Sequence, residues 1–202
     1  MMVFFLMACT TTSIEGLVDG QEIAAHVSMF IEQPDVLEDD DLVTVVLSTI
    51  PNACRVYEYY LDLYADNPTW RGHAIAWQKA FPDDFWEVSL IVRVASLSPE
   101  LAGTDIVGVR ALDDLVDPST LYGEVTHFID HPDPDDPTEN GYYDPYLTDG
   151  GLLSVTKAET GLRFKGDFTT RIVDADRGAP KGDVEMQFDA SVCPNVFPFG
   201  QP

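Results

Sequence analysis

The segments "LRFKGDFTTRI" (residues 162–172) and "DVEMQFDASV" (residues 183–192) decide the fold class of this 202-residue chain. Apolar residues occupy every second position through most of each segment, and charged or polar residues lie between them. That period of two is typical of a β-strand with one buried face. The connecting "DADRGAPKG" (residues 174–182) is rich in residues that favour turns. The region therefore predicts a β-hairpin, with Leu162 at the start of its buried row.

The charged residues of this hairpin suggest how its two strands align. One register places Arg171 beside Asp183 and Lys165 beside Asp189. Each cross-strand pair of opposite charge contributes about 0.2–1 kcal/mol. Six of the eleven Lys and Arg residues fall between residues 157 and 181. We therefore interpret these bases as part of the sheet rather than as a binding patch.

Earlier segments carry the same strand pattern. Residues 23–32 alternate between apolar and polar at most positions, and "LVTVVLSTI" (residues 42–50) is β-branched and nearly continuous, which is typical of a central strand. "FWEVSLIVRV" (residues 85–94) alternates again, so Trp86 is expected to face the core and Glu87 to face outward. Two weaker strands are predicted near residues 105–112 and 121–129.

One α-helix is expected between these strands. Asn52 can cap its N-terminus after Pro51 has ended the preceding strand, and Cys54 falls in its first turn. Its apolar stripe, at the spacing of an amphipathic helix, consists of Val56, Tyr59, Tyr60 and Leu63. The chain is therefore predicted to be mainly β, an antiparallel β-sandwich or barrel-like sheet with one packed α-helix.

The charge of the chain limits its partners. Thirty-five Asp and Glu residues against eleven Lys and Arg give a formal charge of −24. A field of this sign repels the phosphates of nucleic acids, so nucleic acid is excluded as a partner. Two explanations of the acidity remain open. It can keep the protein soluble in a salty medium, where counterions screen the repulsion, or it can bind divalent cations.

The order Leu6-Met7-Ala8-Cys9, at the end of an apolar run, resembles the lipobox of bacterial lipoprotein precursors. The resemblance implies that Cys9 becomes the lipidated first residue of the mature protein, and the Thr that follows it implies the outer membrane. The chain then divides into a truncated signal peptide (residues 1–8), a lipidated cysteine with its tether (residues 9–13) and a single β-rich domain (residues 14–202). The alternative is a buried N-terminal strand that ends in a core cysteine.

The C-terminal hairpin is similar to those of many small bacterial lipoproteins, which run Gly-x-Phe and later Phe-x-Ala-x-x-Cys. The matching positions here are Gly166, Phe168, Phe188, Ala190 and Cys193. If Cys9 carries lipid, Cys54 and Cys193 are left as a pair, and an exported compartment permits a disulfide between them. The alternative is two unrelated buried thiols.

The acidic segment of residues 127–151 is the strongest candidate for a metal site. It contains seven acids and no base, and its prolines and glycines disfavour regular structure. Irregular loops rich in oxygen atoms suit Ca²⁺. The candidate ligands are Asp133, Asp135, Asp136 and Glu139. The alternative is a solvated surface loop, since the spacing of these acids is not that of an EF-hand.

A second candidate metal site lies at the start of the same segment. His127 and His131 form an H-x₃-H motif with Asp130 between them, so the three could hold a zinc ion in a metal-dependent hydrolase. The Glu that follows the first His in zinc proteases is absent. The sequence also lacks the G-x-S-x-G nucleophile motif and the P-loop.

Aromatic residues are concentrated in residues 57–86, which contain nine of them. They can belong to a helix that packs its rings on the sheet. They can also form an aromatic platform for a glycan, with Trp70 and Trp77 as the candidate binding residues.

Taken together, these patterns favour a lipid-anchored protein of the bacterial cell envelope with a non-catalytic binding or structural role. It is expected to contact the membrane through its lipid anchor and to need no cofactor, with Ca²⁺ as a candidate ion. The alternatives are a Ca²⁺- or glycan-binding module of the envelope, or a metal-dependent hydrolase that uses His127 and His131.

Overall fold

A computed structural model describes residues 12–37, 40–136, 141 and 143–193. Within these residues the chain forms ten strands and two α-helices, which confirms the predicted mainly β class. The strands are β1 (Ser13–Gly16), β2 (Val27–Leu37), β3 (Asp40–Ser48), β4 (Phe85–Val94), β5 (Asp105–Val109), β6 (Thr120–Phe128), β7 (Tyr143–Thr148), β8 (Leu152–Glu159), β9 (Arg163–Asp174) and β10 (Pro180–Val192). The helices are α1 (Ala53–Ala65) and α2 (Trp70–Ala80).

The strands pair into one sheet that closes on itself. Going around the ring, the hydrogen-bonded order is β10, β2, β3, β4, β6, β5, β8 and β9, and β9 pairs again with β10. β7 joins β6 to β9 beside the β5–β8 pair, and β1 adds to β10. Most pairings are antiparallel, while β10–β2 and β5–β6 are parallel. Closing the sheet pairs the backbone groups that an open sheet would leave exposed at its edges.

The C-terminal hairpin is formed by β9 and β10. Arg171 lies opposite Asp183 and Lys165 lies opposite Asp189, which confirms the predicted register. Arg171 Nε is 3.4 Å from Asp183 Oδ1. The carboxylate of Asp189, however, is paired with Arg163, because a guanidinium can offer it two parallel N–H donors.

The interior of the ring holds the main hydrophobic core. Its largest fully buried rings are those of Phe30, Phe164, Phe168 and Phe188. β4 directs Trp86 and the alternate residues up to Val94 into this core, as its sequence pattern predicts. Leu162 is 66% exposed and lies in the turn that precedes β9, so its predicted place in the buried row is wrong.

The helices pack on the outer face of the sheet and form a second core there. The strands contribute Met29, Ile31, Val46 and Phe85 to it. From α1 it receives Tyr57 and Tyr60, whereas Tyr59 is 50% exposed, so the predicted stripe is displaced. Aromatic residues lie on several sides of α1, and the spacing rule fits more than one of them. Asn52 precedes α1 with φ 60° and makes no side-chain capping bond.

The second helix, α2, is the main departure from the predicted architecture. Thr69 caps it by accepting a hydrogen bond from the backbone N–H of Gly72 at 3.1 Å. The buried side of α2 consists of Gly72, Ala74, Ala76 and Trp77, so three of its four residues are too small to give a strong apolar signal. At position 72 close packing requires a glycine, since a Cβ there would lie 1.8 Å from the carbonyl oxygen of Asn67.

A disulfide joins the helical layer to the end of the sheet. Cys54 in the first turn of α1 is bonded to Cys193, which directly follows β10, and their Cα atoms are 5.8 Å apart. This confirms the predicted pair and excludes the alternative of two separate thiols. The backbone N–H of Cys193 also donates to Phe30 O at 2.9 Å. The bridge therefore fixes α1 beside the contact between β10 and β2.

Candidate ligand-binding cleft

A cleft of about 330 Å³ lies between the helical layer and the outer face of the sheet. Four strands form its floor and the two helices form its wall. Its lining residues are Met29, Ile31, Thr44, Val46, Tyr57, His73, Trp77, Glu87, Ser89, Ile91, Glu124, Thr126 and Phe128. Volumes of this size and walls of this mixed, mostly apolar character are typical of small-molecule sites.

The floor of the cleft follows from strand alternation. Residues 87, 89 and 91 of β4 and residues 124, 126 and 128 of β6 share the outer face, because their neighbours fill the interior core. The strand register places Glu87 opposite Thr126 and Ser89 opposite Glu124. The two glutamates are therefore diagonal neighbours, a relation that brings Cβ atoms to about 7–8 Å.

Glu87 is half-buried as a residue, and its carboxyl group is the part held largely out of water. The Tyr57 hydroxyl donates a hydrogen bond to its Oε2, and the Ser89 hydroxyl lies 3.5 Å from its Oε1. Burial raises the pKa of Glu87 from 4.5 to about 7, against the lowering effect of these two hydroxyl donors. Burial and the neighbouring Glu87 carboxyl likewise raise the pKa of Tyr57 well above its usual value. At neutral pH the cleft therefore contains an acid that is close to its titration point.

Glu124 lies at the exposed mouth of the cleft. Its Oε1 accepts a hydrogen bond from the Tyr122 hydroxyl at 2.7 Å. Tyr122 precedes it by two residues and lies on the same face of β6. This contact restrains the carboxylate, and one hydrogen bond occupies only one of its roughly four acceptor positions.

The helical wall supplies rings and one imidazole. His73 of α2 shares a 2.7 Å hydrogen bond with the Tyr60 hydroxyl through Nδ1. Burial lowers the pKa of His73 below 6.5, so its ring is neutral at physiological pH. The charges that line the cleft are then all carboxylates, since its lining contains neither Lys nor Arg.

The tryptophans do not form the predicted platform. Trp77 is 9% exposed and stacks on Phe81, with ring centroids 4.2 Å apart. It contributes one part of its surface to the cleft. Trp70 does not line the cleft, and its Nε1 donates to Asp133 O at 3.3 Å. A pair of exposed rings for a glycan is therefore absent from these two positions, because α2 buries one of them.

The proposed calcium ligands lie partly outside the described residues, since Glu139 is not among them. Asp133 Oδ1 accepts from the backbone N–H of Asp135 at 2.8 Å, and Asp135 is 3.3 Å from Arg71 on the surface. The backbone N–H of Asp136 donates to Asp133 O at 3.3 Å. The described part of the loop thus has the contacts of a surface turn, and calcium binding there stays a prediction.

The two histidines of the H-x₃-H motif have separate partners. His127 is buried against Trp86, and its Nε2 is 2.8 Å from Asp84 Oδ1. His131 donates from Nε2 to Phe81 O at 3.2 Å. Asp130 accepts from the backbone of His131 rather than from either imidazole. Over the described residues these three side chains do not form a ligand set, so the zinc hydrolase gains no support from the geometry.

The described residues bring three metal-ligating side chains together in one place. Cys54, Glu58 and Cys193 have ligand atoms within 4.8 Å of one another. Both sulfur atoms are in the disulfide, so they cannot serve as the thiolates that metal binding requires.

The predicted lipidation site, Cys9, lies outside the described residues. In the part of the chain that the structure describes, neither helix has the length and apolar character needed to cross a membrane.

Sequence reasoning missed Glu87 as a site residue. Its outward orientation was predicted, but alternation along one strand does not reveal what covers the outer face. The available signal was the conjunction of that acid with the aromatic-rich residues 57–86, one of whose tyrosines binds it.

Comparison with models of known protein families, with curated proteins and with solved structures found no significant match to this chain.

Proposed function

We propose that this chain is a lipid-anchored, non-catalytic binding protein of the bacterial cell envelope, held at the outer membrane through Cys9. The cleft between the helices and the sheet is its binding site. The observation that carries the binding role is the 330 Å³ volume of that cleft, with apolar walls and a few polar groups on its floor.

The cleft suits a small molecule with an apolar body. Met29, Ile31, Val46 and Ile91 supply aliphatic surface, and Trp77 and Phe128 supply rings. Burying apolar ligand surface against these side chains contributes about 25 cal/mol for each Å² removed from water. An extended glycan fits less well, because its hydroxyl groups would need more partners than the floor offers.

Binding can be tested with the uncharged apolar dye N-phenyl-1-naphthylamine, whose fluorescence rises in an apolar site. We expect saturable binding to the wild-type protein. An Ile91→Trp substitution should fill the cleft and weaken dye binding at least about tenfold, a loss equal to about 1.4 kcal/mol. Val107→Trp is the matched control, because Val107 is 55% exposed on β5 and does not line the cleft. Equal dye binding by the two variants would rule out the cleft as the site.

The anchor rests on the resemblance of residues 6–9 to a lipobox and is supported by the pairing of Cys54 with Cys193. Expressed from its own gene in bacteria, the protein should incorporate a clickable palmitate analogue and partition into detergent. Cys9→Ala should abolish both properties, while the double variant Cys54→Ser, Cys193→Ser should keep the label. Labelling that survives Cys9→Ala would show that the anchor is elsewhere or absent.

A further inference from the structure

The cleft has mostly apolar walls, and the groups in its lining that can carry charge at neutral pH are acidic. Its two ionisable carboxyl groups, Glu87 and Glu124, stand on adjacent strands of the floor. Neither Lys nor Arg lines the cleft, and His73 is neutral at physiological pH. Glu87 is half-buried and Glu124 is exposed, and both border a cavity with mostly apolar walls.

Each carboxyl group is fixed by a hydroxyl donor that leaves acceptor positions for a ligand. Tyr57 and Ser89 hold Glu87, and Tyr122 holds Glu124. A carboxylate has about four acceptor positions on its two oxygens. An ammonium group carries three N–H donors, so it can bridge two carboxylates that lie diagonally across a strand pair. A neutral hydroxyl group has one donor and can satisfy only one of them.

We infer that the cleft selects a small organic amine, with its ammonium group between Glu87 and Glu124 and its aromatic or branched aliphatic body against Trp77, Ile91 and Phe128. This rests on the proposed function, because it takes the cleft as the binding site. The charge of −24 on the whole chain raises the local concentration of cations and favours their entry. The mostly apolar walls disfavour strongly hydrated inorganic cations, which would lose more water oxygens than the few oxygen atoms of the floor replace.

The selection depends on pH because Glu87 must lose its proton to pair with an ammonium. Burial places the pKa of Glu87 at about 7 in the empty cleft. Below that pH the group is a neutral acid, and an arriving ammonium must displace its proton. The affinity for an amine therefore increases as pH rises from about 5.5 to about 8, the interval over which a group of this pKa ionises. The affinity for an uncharged ligand of the same shape stays nearly constant.

The test uses three probes that share a phenyl ring and differ in charge. Phenethylamine is a cation, phenethyl alcohol is neutral and 3-phenylpropionate is an anion. Calorimetric titration at pH 8 should give the tightest binding for the amine, weaker binding for the alcohol and none for the acid. Glu87→Gln and Glu124→Gln should each weaken amine binding about tenfold and leave alcohol binding unchanged. Glu185→Gln is the matched control, since Glu185 is exposed on β10 and does not line the cleft.

The outcomes separate this inference from the proposed function. If the amine and the alcohol bind equally, or if the Gln variants do not affect the amine, charge selection is wrong while the cleft remains a binding site. Tightest binding of the acid, or binding of the apolar dye with no binding of any of the three probes, overturns the inference in the same way. If the dye also fails to bind, the cleft is not a binding site, and both the inference and the proposed binding function are wrong.

Discussion

The pKa of Glu87 is set by the helix that covers its side of the sheet. In the strand it occupies an outward position that would ordinarily be solvated. Here α1 lies over that face, and the Tyr57 hydroxyl binds the carboxyl group. Burial disfavours the charged form, which is why the pKa of Glu87 rises to about 7 although two hydroxyl groups stabilise the carboxylate.

The raised pKa of Glu87 makes stability depend on pH. Between pH 4.5 and about 7 the folded protein keeps a proton that the unfolded chain releases. The contribution of this group to stability is therefore full below pH 4.5 and is lost as pH rises to 7, by about 3 kcal/mol. We expect Glu87→Gln to flatten this part of the pH profile, so that the variant gains stability relative to wild type at pH 8. Urea unfolding of both proteins at pH 4.5, 6 and 8 measures this difference in the free energy of unfolding.

The comparison for that experiment is Glu185→Gln, which removes one negative charge from an exposed position on β10. It should shift the free energy of unfolding by a similar small amount at each pH. A Glu87→Gln profile parallel to that of Glu185→Gln would contradict the raised pKa of Glu87.

At the scale of elements, the sheet and the helices are stabilised by different cores. The strands bury their large rings inside the ring of strands, and the helices meet the outer face of β2, β3 and β4 through a second cluster. Within the residues described, the covalent connection between helices and sheet, apart from the chain itself, is the disulfide from α1 to the end of β10. The helical wall of the cleft is thus held at one end by that bond.

Removing the disulfide should destabilise the protein strongly. The bridge closes a loop with a sequence separation of 139 residues, and for a loop of that length the chain-entropy relation gives about 4–5 kcal/mol. The double variant Cys54→Ser, Cys193→Ser should therefore lose most of that free energy of unfolding in urea. Serine keeps the side chains small, and the reduced wild-type protein provides a second measurement. A loss below about 1 kcal/mol would mean that packing alone holds α1 in place.

The hairpin and β4 could be predicted from the sequence because each has one face buried over most of its length. Alternation then reports burial directly, and the charges between the apolar positions suggested the register in which Arg171 lies opposite Asp183. Helix α2 was missed because its buried side is made of Gly72, Ala74 and Ala76. The cleft was missed for a different reason, since it is formed between elements that are distant in sequence, and no local period records which helix covers which strand.

At the scale of the whole molecule, a closed sheet coexists with a large negative charge. The ring of strands brings residues from both ends of the chain together, and with them brings acids closer than they are in the unfolded chain. Few bases are available to offset this, because the chain has 35 acids and 11 bases. Self-repulsion therefore opposes folding.

Salt should raise the melting temperature by screening this repulsion. We expect a steady increase between about 20 mM and about 500 mM NaCl, over which the Debye length falls several-fold. CaCl₂ at equal ionic strength is the control. A larger effect of Ca²⁺ than of NaCl, removed by Asp133→Asn, would show that the acidic loop binds the ion. No change with NaCl would contradict the repulsion argument.

The closure of the sheet by its last strand also sets the order in which the chain can fold. β10 pairs with β9, with β1 and with β2, so it connects the two ends of the chain. Until residues 180–192 have paired, the matching sides of β2 and β9 have no partner, and unpaired strands of this kind associate readily with other chains. Topologies dominated by distant contacts fold slowly, so we expect the chain to be most prone to association with its own copies before β10 has paired.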